Sequence, residues 1–313
     1  MHTDIFYTFT PYFIINMTLL SQYNETNRSF PVKCIYHLGS DAGFFSEYNN
    51  MILGMVHCLN NRIGFHLYSR DANFGIKEGW SDYFLPFCPE EASRVHSYIN
   101  KRMYAHRGRN PLWRLGVALY KLTHKNTLLT SDIWLPMREN RSSSLRSACK
   151  KMVNMTWRYN PETAADVNRL IGDLHLPDSY AGLHIRGGDK FKEMDIKGID
   201  SYIKKLKTLT VDKNLFILTD DYAVIEELNR TYPEYTIYTL CAQDERGYFH
   251  QAFSKESPEK KRSQLIKLFA SMDVLAGGEH FIGTFSSNPG MYLGMRMEEG
   301  KTHGVDLDEW TIW

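Results

Sequence analysis

The sequence predicts an α/β protein built on parallel sheets, and three observations carry that expectation. Apolar strand-like runs alternate with helix-like runs through the second half of the chain. A strand, a glycine turn and a helix open the first half, which is how an α/β unit begins. Polar clusters stand where the strands end, and open parallel sheets bind ligands beyond those ends.

The elements follow in order. From Ile5 to Asn24 no side chain is charged, which is long enough to raise a membrane span. Pro11, Asn16, Gln22 and Asn24 interrupt that stretch, and Asp4 stands where a secretory signal would carry Lys or Arg. A strand or extended segment feeding the core is expected, without a membrane span. The expected compartment is then the cytoplasm; a trimmed anchor would make it a secretory lumen. Val32-Lys-Cys-Ile-Tyr-His-Leu38 reads as a strand running into Gly39-Ser-Asp-Ala-Gly43. Phe44 to Leu59 has helical spacing in Met51, Ile52, Met55, Val56 and Leu59. Residues 60–150 read as mostly helical and irregular, anchored by Trp80, Trp113 and Trp134. Pro161 to Ile171 is a helix with Pro in its first turn.

The second half alternates cleanly. Strands are expected at Tyr180–Ile185, Asn214–Thr219, Glu234–Leu240 and His280–Gly283. Helices are expected at Ile199–Leu209, Tyr222–Thr231, Gln264–Ala276 and Met291–Met297. The chain divides into residues 1–175 and 176–313, with the last helix packing back on the first domain.

Composition narrows the partners. The 313 residues fill one large domain or two medium ones. With 43% apolar and 23% charged residues, a disordered chain, a collagen-like repeat and a coiled coil are excluded. Lys plus Arg is 37 and Asp plus Glu is 36, so nothing draws the whole molecule to nucleic acid, and any anion site is local. Cys34, Cys58, Cys88, Cys149 and Cys241 contain no CxxC pair, so they read as buried reduced thiols rather than disulfides or a zinc site. Most of the 19 Tyr, 17 Phe and 6 Trp are expected in the core, with some suited to pack on sugar rings.

Three strand-end clusters carry the chemistry. Arg186-Gly-Gly-Asp-Lys190 offers glycines for close backbone approach, a guanidinium fork for phosphate and a Lys point charge. It lacks P-loop spacing, and its ordinary reading is a glycine turn with a surface ion pair. Thr284-Phe-Ser-Ser-Asn-Pro-Gly290 offers hydroxyls and free backbone N–H groups at a helix start, either an anion site or a plain cap. Asp220-Asp221 can accept from a ribose or base, or cap the next helix. Together, the first two suggest a diphosphate held from both sides. Glu193 and Asp195 are candidate general bases, and His184 faces the same strand end. Asp306-Leu-Asp308 has D-x-D spacing but reads as a solvated tail, and no metal site is expected.

Gly182-Leu-His-Ile-Arg-Gly-Gly-Asp-Lys190 resembles the H-x-R-x-x-D-K signature of the α1,6-fucosyltransferases. Thr219-Asp-Asp221 and His280-Phe-Ile-Gly-Thr-Phe-Ser-Ser287 follow in the family's order, across roughly residues 180–297. The resemblance extends to the protein O-fucosyltransferases and the α1,2-fucosyltransferases. It implies a GT-B-like fold: two Rossmann-type domains with a cleft between them. It implies inverting transfer of L-fucose from GDP-fucose to a hydroxyl of a glycan acceptor, with no metal and no cofactor beyond the donor.

On that resemblance, Arg186, Lys190, Glu193 and Asp195 are catalytic. The donor lies on His184, Arg186, Gly187, Asp189, Asp220, Asp221, Thr284, Phe285, Ser286 and Ser287. His37, Gly43 and Asn49 line the acceptor side of the cleft, with Asp41, Glu47 and Tyr48 nearby. The chain departs from the α1,6 pattern in three places. Gly187 replaces a second Arg, Met194 stands at the base position, and Ser271 stands where relatives have Asp, with Asp273 two residues on. Those departures leave two alternatives: another nucleotide sugar, or an inactive nucleotide- or sugar-binding homologue.

Overall fold

The structure is a computed structural model that describes residues 10–40, 42–100, 111–139, 144–186, 198–247, 253 and 255–312. It holds two parallel sheets. The first has β1 (Val32–His37) between β2 (Ile63–Tyr68) and β3 (Thr127–Leu129). The second has the order β6-β5-β4-β7-β8, all parallel. Its strands are β4 (Ala181–His184), β5 (Asn214–Leu218), β6 (Thr236–Tyr238), β7 (Phe281–Gly283) and β8 (Thr302–Gly304). The chain runs outward from β4 through β5 to β6, then crosses to β7 on the other flank of β4. That reversal makes a crevice between the carboxyl ends of β4 and β7. A second reversal lies between β1 and β3.

The N-terminal expectation is corrected. Thr10–Ser29 is a helix (α1), not an extended segment. Pro11 sits in its first turn, where no backbone bond is lost. Near its end Asn27 imitates a neighbouring strand. Its Nδ2 donates to the Phe65 carbonyl at 2.9 Å, and its Oδ1 accepts from Phe65 N at 2.6 Å. Among the described residues no helix is long and apolar enough to cross a membrane.

Helix α2 (Phe44–Asn60) forms where expected and buries nearly its whole length. The stretch read as helical and irregular contains β2 and β3. Both are short apolar runs whose length alone does not separate strand from helix. Between them lie α3 (Val95–Ile99) and α4 (Pro111–Thr123); α5 (Thr130–Glu139), α6 (Leu145–Thr156) and α7 (Pro161–Asp173) follow. Asn160 caps α7, its Oδ1 accepting from Thr163 N at 2.9 Å ahead of Pro161.

In the second half α8 (Ile199–Lys207) and α9 (Tyr222–Thr231) alternate with the strands as expected. Helix α10 (Pro258–Gly277) starts six residues before Gln264 because the Ser257 side chain caps it at Lys260 N. Helix α11 (Asn288–Arg296) starts three residues before Met291, capped by Ser287. Strand β8 was not expected.

The two sheets share one apolar core. At its centre an aromatic seam joins α2, α10 and α11. Phe44 lies 4.8 Å from Phe269, Phe45 4.8 Å from Tyr292, and Trp157 4.7 Å from Tyr292, centroid to centroid. Beside the seam the Asp273 carboxylate accepts from Trp157 Nε1 at 2.9 Å, from Tyr159 Oη at 2.9 Å and from the Arg296 guanidinium. The Arg262 guanidinium on α10 pairs with Glu162 and Asp166 of α7, and Arg146 on α6 donates to the Gly294 carbonyl at 2.7 Å.

Asp273→Ala would leave a guanidinium, an indole N–H and a phenol without their acceptor. With Asp273 only 18% exposed, the expected loss is about 2–3 kcal/mol of unfolding free energy, read by urea titration. A loss within about 0.5 kcal/mol would remove Asp273 from the architecture.

Candidate functional site

The second sheet presents its three clusters at one edge. Strand β4 ends in His184, only 6% exposed, followed by Ile185 and half-buried Arg186. Burial, and then the Arg186 charge, push the His184 pKa down to about 3, so the imidazole is neutral. Its Nδ1 is buried without a hydrogen-bond partner. A neutral ring with an unmet nitrogen beside a guanidinium suits a polar, anionic ligand. Gly187, Asp189, Lys190, Glu193 and Asp195 lie outside the described residues.

At the end of β5 the two aspartates separate in role. Asp221 caps α9, with Oδ1 accepting from Ala223 N at 3.0 Å, while Thr219 Oγ1 accepts from Asp221 N at 3.2 Å. Asp220 stands half-buried one residue earlier, and its carbonyl accepts from Gly247 N at 2.7 Å.

The turn after β7 corrects one expectation. The backbone N–H groups of Phe285 and Ser286 are not free: they donate to the Asp306 carboxylate at 2.8 and 3.0 Å. Asp306 is therefore no solvated tail residue. It follows β8 and grips the turn from the outer flank of β7, whereas Arg186 follows β4 on the inner flank. Ser287 Oγ accepts from Gly290 N at 3.2 Å and donates to the Thr284 carbonyl at 2.8 Å. A Cβ on Gly290 would stand 1.9 Å from that carbonyl oxygen, so only glycine lets the turn close on α11. Thr284 and Ser286 are half-buried, and their hydroxyls take no part in the cap. Phe285 is buried, its ring lying over Gly304.

Asp273 is not at this edge. Ser271 bonds back to the Lys267 carbonyl within α10, and Asp273 belongs to the seam.

The first sheet carries the other candidates. Gly39 adopts φ +126, and a Cβ there would stand 2.7 Å from the Asp71 Cβ. Fully buried Glu47 fixes the turn by accepting from Gly39 N at 3.0 Å and from the Ser40 hydroxyl. Asp41 lies outside the described residues. Gly43 begins α2 with nothing within 4 Å of where a Cβ would be. Tyr48 is core, bonded to Thr156 Oγ1 at 2.7 Å.

Buried His37 lies in a cavity of about 650 Å³ at the reversal between β1 and β3. Its Nδ1 is 3.3 Å from Thr130 Oγ1 and its Nε2 is 3.2 Å from His96 Nδ1. Asn50, Asn100, Trp134 and Arg138 complete the polar wall. The Arg138 guanidinium lies 4.7 Å over the Trp134 ring and donates to Asn50 Oδ1 at 2.6 Å. Sequence reasoning missed that wall, because β3 is only three residues long and its end was not recognised. Asn49 faces the other way. Its Nδ2 donates to the Asn288 carbonyl at 2.9 Å, and its buried Oδ1 has no partner. It thus ties α2 to the capped start of α11. Among the described residues no three His, Cys, Asp or Glu converge as a metal site.

Two outcomes follow. Unfolded His184 protonates below about pH 6.5, whereas the folded residue resists to about pH 3. Its contribution is therefore neutral above pH 6.5 and destabilising as pH falls below it. Replacing His184 by Asn should flatten the decline of unfolding free energy between pH 7 and pH 5 by up to one proton's worth; an unchanged slope would contradict the buried neutral ring. Asp306→Ala should cost about 2 kcal/mol in the same assay, through the two amides it strands.

Comparison with known proteins agrees with this fold. Among solved structures, NodZ α-1,6-fucosyltransferase soaked with GDP-fucose aligns at a TM-score of 0.53 and 14% identity, covering 85% of this chain and 93% of that one. A second NodZ crystal is described as coming from Bradyrhizobium. An Arabidopsis thaliana FUT1 variant in complex with GDP aligns at 0.50 and 12%, covering 94% and 81%. POFUT1 in its apo form aligns at 0.51 and 9%, covering 88% and 98%. These likenesses show the GT-B fold. A search of curated protein sequences gives no match. A sequence profile of α-(1,6)-fucosyltransferase N- and catalytic domains matches residues 67–289. That span runs from the end of β2 to the first turn of α11 and takes in all three clusters beside the β4–β7 crevice, so the chain belongs to the α-(1,6)-fucosyltransferase family.

Proposed function

We propose that this protein transfers L-fucose from GDP-fucose to a hydroxyl of a glycan acceptor, with inversion at the anomeric carbon. One observation carries the reading: Arg186 and the Thr284–Ser287 turn stand on the two sides of the β4–β7 crevice. An open parallel sheet binds its ligand in that place. The neighbours soaked or complexed with GDP-fucose and GDP support a nucleotide-sugar donor.

In this reading the diphosphate lies between the Arg186 guanidinium and the hydroxyls of Thr284 and Ser286. Asp220, rather than the cap residue Asp221, reaches the nucleoside. Neutral His184 offers its unmet nitrogen to the donor without adding charge. The acceptor oxygen attacks the anomeric carbon as the bond to the β-phosphate oxygen breaks. The acceptor proton passes to a carboxylate, Glu193 or Asp195, next to Lys190. Charge gathers on the departing GDP, and Arg186 offsets it without a metal. The glycan enters from the side of residues 1–175, where Gly43 leaves open space and the cavity offers Trp134, Asn50 and Asn100.

Donor hydrolysis tests the reading. The protein is incubated with GDP-fucose, GDP-mannose, UDP-galactose and UDP-glucose in EDTA, and the released nucleotide is measured. Release from GDP-fucose alone is expected. Release from another donor would overturn the fucose assignment, and Gly187 in place of a second Arg is the reason to include that arm. If all four are silent, calorimetry with GDP, UDP and ADP decides: no preference for GDP would sink the donor assignment. Arg186→Ala should lower transfer at least about a hundredfold, the scale of one lost preorganised donor. A variant within a few-fold of wild type would take Arg186 out of the mechanism.

A further inference from the structure

A carboxylate and an ammonium meet beside the end of β5. The segment after β6 folds back over that end. Its Glu245 carbonyl accepts from Tyr222 N at 3.0 Å, and its Gly247 N donates to the Asp220 carbonyl at 2.7 Å. The Glu245 carboxylate accepts from the Lys267 ammonium of α10, and both side chains are 31% exposed. Cys241, 9% exposed, lies among these charges: burial and then Glu245 push its thiol up to about 12, with Asp220 adding to the rise and Lys267 opposing it. Helix α10 brings Lys267 to the height of the strand ends. It descends from those ends to the start of β7, and its Leu275 packs on Gly182 of β4, where a Cβ would stand 2.7 Å away. Lys267 is eight residues earlier on the helix, about 12 Å nearer the strand ends. Arg186 is four residues beyond Gly182, about 13 Å in the same direction. The sheet edge thus presents Arg186 after β4, Asp220 after β5 and Glu245 after β6, with about 4.8 Å between neighbouring strands.

The pair offers a defined hydrogen-bonding pattern. A carboxylate takes two donors side by side, and an ammonium has three N–H groups, so Lys267 can hold Glu245 and still donate elsewhere. Guanine carries N1–H and the N2 amino group side by side, with the O6 acceptor next to them. Adenine has one amino group beside a ring acceptor, and uracil has one N–H between two carbonyls; neither presents two adjacent donors. A nucleoside diphosphate laid along the edge, with its phosphates at Arg186 and its ribose at Asp220, brings its base to the pair. We propose that Glu245 and Lys267 read the base of the nucleotide, Glu245 accepting from N1–H and the N2 amino group of guanine and Lys267 donating to O6. This rests on the nucleotide-sugar reading of the β4–β7 crevice and adds the residues that choose guanine.

Calorimetry on the full chain tests it with GDP, UDP and IDP, the last of which lacks only the N2 amino group of GDP. GDP should bind at least about tenfold more tightly than IDP, the worth of one hydrogen bond to a carboxylate. Glu245→Gln should weaken GDP by about tenfold and bring GDP and IDP within about threefold of each other, with the melting temperature held. A residue that merely shapes the segment would move both nucleotides together. Lys267→Met should weaken GDP and IDP alike, by about fivefold or more, because both carry O6; it decides the matter if Glu245→Gln misfolds. Equal binding of GDP and IDP by the wild type overturns the assignment and leaves the nucleotide-sugar reading standing. So does a preference for GDP that Glu245→Gln leaves intact, or GDP binding that Lys267→Met leaves unchanged. Binding of no nucleotide, or of UDP in preference to GDP, overturns both.

Discussion

The relation between the two sheets rests on the Asp273 carboxylate. One group accepts from an indole, a phenol and a guanidinium, drawn from the linker after α6 and from α11. Each donor sits against the aromatic seam and would be costly to leave unpaired there. The carboxylate fixes where Trp157 lies, Trp157 fixes Phe45 and Tyr292, and those fix α2 against α11. The distance between the two strand reversals follows from that chain of contacts.

The crevice between β4 and β7 gathers an uneven set of charges. Arg186 is held on the inner flank, while Asp306 is held on the outer flank by backbone N–H groups. Asp306 and Arg186 thus follow strands on opposite flanks of β7. Burial keeps His184 neutral, so it does not add a second positive charge that would vary with pH.

Much of this was legible in the sequence, and the rest was not for identifiable reasons. Strands β1, β4, β5 and β7 announced themselves as apolar runs ended by glycine or acid, and α9 matched its expected ends. The order of the three clusters was readable too, because it depends only on strand succession. What failed was everything that depends on pairing between distant segments. Strands β3 and β8 are three residues each, too short for periodicity, and exist because a neighbour completes them. Asp306 looked solvated because its two amide partners lie some twenty residues earlier. Asp273 sat near a site position in register, yet helix α10 turns it to the seam. The Ser257-Pro258 start of α10 was a legible cap signal that went unread.

Asn49 binds the first carbonyl of α11, and the seam around it is aromatic and largely buried. Swinging the two sheets apart would wet the buried rings of Phe44, Phe45 and Tyr292, at about 1.5–3 kcal/mol for each. The sum, about 4.5–9 kcal/mol, would leave fewer than about one molecule in a thousand open. Any molecule that reaches the ends of β4 and β7 therefore meets the two sheets closed on one another. The two sheets are one block, not the halves of a jaw.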